Sequence, residues 1–195
     1  VTRIIGGSAG GRRIATPKGD ATRPTSDRVR EALFSALESW AGSLHGLRVL
    51  DLYAGSGAIG LEAWSRGAAA VTLVESDRRT AALIGANVRD LGCRAADVVA
   101  GSVATVLAGQ PKPAYGPYDV VFSDPPYPLD DESLARDLAL LVENGWLADG
   151  ALVVVERAKR SPEPTWPDGL TLLREKKYGE TRLWYAETTD RSSDR

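Results

Sequence analysis

Two stretches of the sequence carry residues whose types and spacing could do chemistry. In the first, Asp51 stands near the end of a short apolar run (Val49, Leu50, Leu52) and is followed by Gly55, Gly57 and Gly60. A G-x-G-x-x-G turn lets backbone approach a ligand closely and aims a helix N-terminus at it. Alone the pattern also serves nicotinamide and flavin enzymes. Asp51 narrows it, because a carboxylate there repels a pyrophosphate and suits a ligand's ammonium group. Glu75 ends the next apolar run, 71–75, at the distance where an acid grips a ribose hydroxyl. The second stretch is Asp124-Pro125-Pro126-Tyr127, directly after the run 120–123. Its two prolines fix the backbone and remove two donors, leaving carbonyl acceptors. Asp124 adds a charged acceptor and Tyr127 an aromatic face. Together they suit an exocyclic amine on a planar ring: the Asp124 carboxylate and the Pro125 carbonyl accept its two N–H groups, and the ring stacks on Tyr127.

These residues need strands to carry them, and the sequence alternates strand and helix. Strands are predicted over 47–53, 70–75, 96–101, 118–123 and 151–156, with helices over 58–66, 78–91, 102–109 and 131–143. That alternation is the signature of a doubly wound parallel sheet. Two further strands, 170–177 and 181–187, meet at Tyr178-Gly179-Glu180 with no helix between them, so they form an antiparallel hairpin. The predicted fold class is α/β, a Rossmann-like seven-stranded sheet, mostly parallel and closed by that C-terminal hairpin. Ligands of such sheets bind at the carboxyl ends of the strands, which brings 124–127 beside the glycine turn. Ahead of the sheet, β-like runs at 3–5 and 12–15 flank a glycine-rich turn and suggest a small hairpin. A helix follows, capped by Ser26, with Val29, Leu33, Leu37 and Trp40 as its apolar stripe. The expected division is a basic arm over 1–45, a main domain over 46–187 and a disordered tail over 188–195.

Charge sets the arm apart. Seven arginines and lysines against two aspartates give residues 1–30 a net charge of +5, leaving −7 on the other 165 for the chain's total of −2. A basic arm on an acidic body points to a polyanionic partner. Arg12, Arg13 and Lys18 suit phosphate contacts, and Arg23, Thr25, Ser26 and Arg28 lie where the arm joins the domain and suit the mouth of a pocket. Arg30 and Glu31 read as a surface ion pair, and Asp130-Asp131-Glu132 as a helix-capping run. No apolar run approaches the ~20 residues that span a membrane. Cys93 is the one cysteine, which excludes an internal disulfide and points to the cytoplasm. With His45 as the one histidine, no Cys/His metal site can be built, and no metal is expected. Nothing indicates an obligate interface, so a monomer is expected. The chain has no methionine, and Val1 reads as a non-standard start codon written out.

The segment from Asp51 to Glu75 resembles the cofactor motif of class I methyltransferases, whose ligand S-adenosylmethionine (SAM) has an ammonium and no phosphate. Asp-Pro-Pro-Tyr resembles the motif of enzymes that methylate amino groups of adenine or guanine. The arm narrows the family. Arg3-Ile4-Ile5-Gly6-Gly7, Gly11-Arg12-Arg13, Thr16-Pro17-Lys18-Gly19 and the stretch from Thr22 to Phe34 resemble the bacterial RsmD-type 16S ribosomal RNA guanine-N2 methyltransferases, as do Asp51–Gly60 and Ser65-Arg66-Gly67-Ala68. The resemblance spans about 3–187. It implies methyl transfer from SAM to the N2 of one guanine of 16S rRNA, within the small subunit or a late assembly intermediate. It also implies a catalytic turn of Asp124, Pro125, Pro126 and Tyr127, and a cofactor site of Asp51, Tyr53, Ala54, Gly55, Ser56, Gly57, Glu75 and Ser76. The family pattern places an acid after the third strand to meet the SAM adenine. Here Ser102 and Val103 stand in its place, with the serine or backbone groups as substitutes. Four rivals fit less well, the first a non-catalytic SAM- or RNA-binding module, which would need no amine site such as 124–127. A DNA adenine-N6 methyltransferase carries a recognition region for which this chain has no room. A protein glutamine methyltransferase has Asn at the position of Asp124. An NAD enzyme is disfavoured by Asp51.

Overall fold

The computed structural model describes residues 2–18, 26–127 and 129–189. Arg23, Thr25 and Val1 lie outside them. The strands are β1 (Thr2–Arg3), β2 (Arg13–Ile14), β3 (Arg48–Leu52), β4 (Ala70–Glu75), β5 (Ala96–Ala100), β6 (Tyr118–Ser123), β7 (Leu147–Ala158), β8 (Leu170–Tyr178) and β9 (Thr181–Thr188). The helices are α1 (Asp27–Ala41), α2 (Ala58–Ser65), α3 (Arg78–Leu91), α4 (Val103–Ala108) and α5 (Asp131–Glu143). Seven strands form one sheet in the order β5-β4-β3-β6-β7-β9-β8. The first five of that order run parallel, and β9 pairs antiparallel with both β7 and β8. The chain moves outward from β3 to β5, then returns to β6 beside β3. That reversal opens a crevice at the carboxyl ends of β3 and β6.

The inner strands are apolar on both faces because helices cover both. Val49, Val71, Leu73, Val120, Phe122 and Val154 pack under α1, α2 and α3, while Leu50, Leu52, Val121, Val153 and Val155 pack under α4 and α5. The period of two therefore shows as two cores rather than as an apolar and a wet face. Strand β7 is longer than predicted: it starts at Leu147, shifts register between Tyr118 and Val120 of its neighbour, and runs to Ala158. Exposed Asp149 and Gly150 hid its first half from a hydrophobicity reading. At the other end, Thr188 belongs to β9, and the Thr189 N–H donates to the Gly169 carbonyl (2.8 Å), so the folded body extends two residues past the expected start of the tail. Residues 190–195 lie outside the described chain.

The arm hairpin is short. Thr2 pairs with Ile14 and Arg3 with Arg13, and Ile4, Ala9 and Ile14 are buried against Leu61 of α2 and Leu91 of α3. Two α2 side chains receive it. The Glu62 carboxylate accepts the N–H groups of Ile5 (2.8 Å) and Gly6 (2.9 Å), and Ser65 Oγ accepts from Ala9 N–H (2.9 Å). The Ser8 N–H donates to the Ser65 carbonyl (2.7 Å) beside Gly7, where a Cβ would sit 1.9 Å from that oxygen, so only glycine fits.

Arg30 departs from its reading as a surface ion pair. It is fully buried under the hairpin, where its Nη2 donates to the Arg3 carbonyl (2.5 Å) and to Asp27 (3.0 Å), and its Nε lies 3.7 Å from Glu62. Its helical neighbour Glu31 points to solvent instead. Helical spacing alone placed Arg30 off the apolar stripe, but the arm covers that side of α1. Of the two aspartates that could cap α5, Asp130 and Asp131, it is Asp130 that does so, accepting from Ser133 N–H (2.7 Å). Among the described residues, no helix is long and apolar enough to cross a membrane.

Candidate active site

A cleft of about 1000 Å³ opens at the β3/β6 reversal, walled by the glycine loop, the 124–127 turn, the arm and the end of β7. The glycine loop starts with Tyr53, held at φ 58° at the end of β3. Its hydroxyl donates to Asp137 of α5 (2.5 Å), and burial together with that partner pushes the phenol's pKa up, which keeps it a donor. Helix α2 begins at Gly57 without a side-chain cap. Asp51 supplies one from the strand: its Oδ2 accepts the Gly60 N–H (2.9 Å), satisfying one of the orphan donors of the first turn. Gly57 and Gly60 serve packing, since Cβ atoms there would come within 3.1 Å and 2.7 Å of Leu73. Gly55 differs, because a Cβ there would meet nothing of the protein and the space at the cleft wall stays open. Its N–H donates to Glu75 Oε1 (3.0 Å), while Glu75 Oε2 accepts from Asp77 N–H (2.8 Å). The acid that ends β4 is thereby tied to the glycine loop.

Side-chain alternation orders the acids. Val49, Leu73 and Val154 share one core, so Asp51, Glu75 and Glu156, each two residues further on, project on the same side of β3, β4 and β7, and Asp124 follows the last residue of β6. All four line the cleft. They form a row across the carboxyl edge in the order Glu75, Asp51, Asp124, Glu156. Asp51 is only 2% exposed, and burial, with Glu75 nearby, pushes its carboxyl up to about 8 despite the Gly60 hydrogen bond. Asp124 and Glu156 each have an interaction of their own within the chain. Pro125 is buried, and Tyr127 is 89% exposed at the mouth.

The structure brings Asp51, Tyr53, Ala54, Gly55, Ser56, Glu75, Ser76 and 124–127 together around this one cleft. Ser102 and Val103 are not among its walls. Ser102 caps α4, accepting from Thr105 N–H (3.2 Å), and Val103 is buried in the core beneath α4. From the arm, Thr2, Thr16 and Pro17 reach the cleft. Lys18, Arg13 and Arg28 are exposed, and Arg12 donates to the Asp90 carbonyl (2.8 Å) on α3. Ser26 caps α1 through Val29 N–H (3.2 Å), as its sequence position predicted.

Sequence reasoning missed one wall and one tie. Glu156, Arg157, Lys159 and Arg160 come from the far end of β7. The signal for Glu156 was present: an apolar run, 151–155, ending on an acid, the same pattern that marks Asp51, Glu75 and Asp124. The tie is Asn87 of α3. Its amide accepts from Ala15 N–H (2.9 Å) and donates to the carbonyls of Ala15 (3.0 Å) and Ser56 (3.2 Å), linking the arm to the glycine loop. No local pattern announces such a link.

Comparison with known proteins agrees with this arrangement. Residues 2–187 match the family model described as conserved hypothetical protein 95. The ribosomal RNA small subunit methyltransferase D of Escherichia coli K12 is 41% identical over 192 residues, 97% of this chain and 92% of that protein. The Haemophilus influenzae protein of the same name is 39% identical over 91% of this chain and 89% of its own length. A solved structure of a methyltransferase from Escherichia coli superposes with a TM-score of 0.84 at 38% identity, covering 97% of this chain and 98% of that one. Sequence, sheet order and cleft thus place this chain in the family of the ribosomal RNA small subunit methyltransferase D proteins.

Proposed function

We propose that this chain transfers a methyl group from SAM to the exocyclic N2 of one guanine of 16S rRNA, within the small ribosomal subunit or a late assembly intermediate. The observation that carries this reading is the single cleft in which the glycine loop meets the Asp124-Pro125-Pro126-Tyr127 turn. The relatives, named for methylation of small-subunit ribosomal RNA, support the same substrate class.

The cleft fits SAM on its own terms. Asp51 is a buried acid held above its usual range, the environment that a ligand's ammonium group relieves. Glu75 is fixed for a ribose hydroxyl, and Gly55 leaves open space beside it. Bound there, SAM supplies a methyl group on a positively charged sulfur. The adenine end is left to groups other than Ser102, whose hydroxyl is taken up in capping α4.

On the substrate side, the Asp124 carboxylate and the Pro125 carbonyl orient the amine, and the exposed ring of Tyr127 receives the base once it leaves its stack. Asp124 offsets the positive charge that grows on the nitrogen, and the alkylated amine is acidic enough to release its proton to water. Positioning and electrostatics therefore supply the rate. The arm, with Arg12, Arg13, Lys18, Arg23, Thr25, Ser26 and Arg28, serves as the RNA-facing element. The test is labelled-methyl transfer from SAM to small subunits of a strain lacking this gene, followed by nucleoside analysis. Label in N2-methylguanosine at one site supports the reading. Label confined to N6-methyladenosine, DNA or protein overturns it.

A further inference from the structure

We infer that Glu156 is the residue that selects guanine, by accepting the N1–H of the base while the 124–127 turn holds its amine. The inference rests on the guanine-N2 reading above and deepens it. The turn alone does not choose between purines, since an exocyclic amine on a ring is common to adenine and guanine. What separates them is the neighbouring ring nitrogen, which is a donor in guanine and a bare acceptor in adenine. A selective site therefore needs a second acceptor beside the first.

Glu156 stands there. Ser123 and Val155 are the last register partners of the parallel pair β6 and β7, so Asp124, the first residue after β6, and Glu156, still within β7, each follow that pair directly. Neighbouring strands lie about 4.8 Å apart, and both residues line the same cleft. Glu156 lines the cleft yet is only 8% exposed, opposite Leu183 of β9 and on the same side as Phe122. In so dry a place a hydrogen bond to a carboxylate is strong, and a lone pair aimed at it is strongly rejected. Glu156 has an interaction within the chain already, but a carboxylate has room for several donors. In the row of acids, Glu75 and Asp51 then face the cofactor and Asp124 and Glu156 face the base.

The probe is 2-aminopurine riboside at the target position, in rRNA reconstituted into small subunits. It keeps the N2 amine of guanine but presents a lone pair at N1. The wild-type protein should favour guanine by about 100-fold in kcat/KM. In Glu156→Gln, whose amide can donate to that lone pair, the ratio should fall to about tenfold or below, with SAM affinity within about twofold of wild type. Equal loss on both substrates, or an unchanged ratio, overturns the role of Glu156 and leaves the guanine-N2 reading standing. Equal wild-type rates on the two bases overturn it without any variant. Absence of label at guanine N2 with the wild-type protein removes the reading itself, and is seen before a variant is made.

Discussion

On the proposed function Asp51 has two jobs for one carboxylate: it caps α2 through Gly60 and, at the cleft wall, holds the ammonium of the ligand. Its raised value, about 8, makes both jobs pH-dependent. The unfolded chain releases this proton near the ordinary carboxylate value, so the ligand-free fold loses stability as pH climbs from there to about 8. An ammonium ligand needs the carboxylate. SAM affinity should therefore rise by up to about tenfold per unit as pH goes from about 6 to about 8, and Asp51→Asn should flatten that slope in calorimetric titrations. Asp124 lies on the other side of the row. Asp124→Ala should lower kcat by about 100-fold or more while SAM binds with near wild-type affinity. Full turnover in that variant would show that the amine is held elsewhere.

At the scale of elements, the arm is fastened to the domain by charge as much as by apolar contact. Glu62 is fully buried, within 3.0 Å of Arg66 Nε and 3.7 Å of Arg30 Nε, and accepts two arm N–H groups. Burial pulls the Arg30 guanidinium down from its ordinary value, and Glu62 and Asp27 offset this in part. Removing the central carboxylate leaves the buried Arg30 guanidinium with exposed Asp27 as its remaining carboxylate partner. Glu62→Gln should cost about 3–5 kcal/mol in denaturant unfolding, and protease cleavage should then begin in the arm. Loss of less than about 1 kcal/mol would mean that Glu62 adds little to the apolar contacts of the hairpin and its hydrogen bonds with Ser65 and Asn87.

At the scale of the molecule, the cleft has basic residues beside it although the chain is acidic overall. Lys18 of the arm is exposed beside Thr16 and Pro17, and Lys159 and Arg160 are exposed where the end of β7 meets the cleft. On the proposed function, RNA that feeds a base into the cleft would pass between them. Each of Lys18→Ala, Lys159→Ala and Arg160→Ala should reduce the slope of log affinity against log salt by just under one, measured by RNA binding at several ionic strengths. Slopes that change only for Lys18 would confine RNA to the arm.

The sequence by itself determined the strand–helix alternation, the hairpin, the caps at Ser26 and Asp130, and both stretches that line the cleft. Each of these is written in local periods or in short runs of neighbouring residues, whose physics does not depend on distant chain. Only the tertiary structure decided that Arg30 is buried, that Ser102 is occupied as a cap away from the cleft, that Asn87 links arm to glycine loop, and that Glu156 shares the cleft with Asp124. Those outcomes depend on which strand lies beside which, and on what the arm covers. Strand register and burial are set by packing between segments far apart in the chain, and no window of the sequence contains both partners.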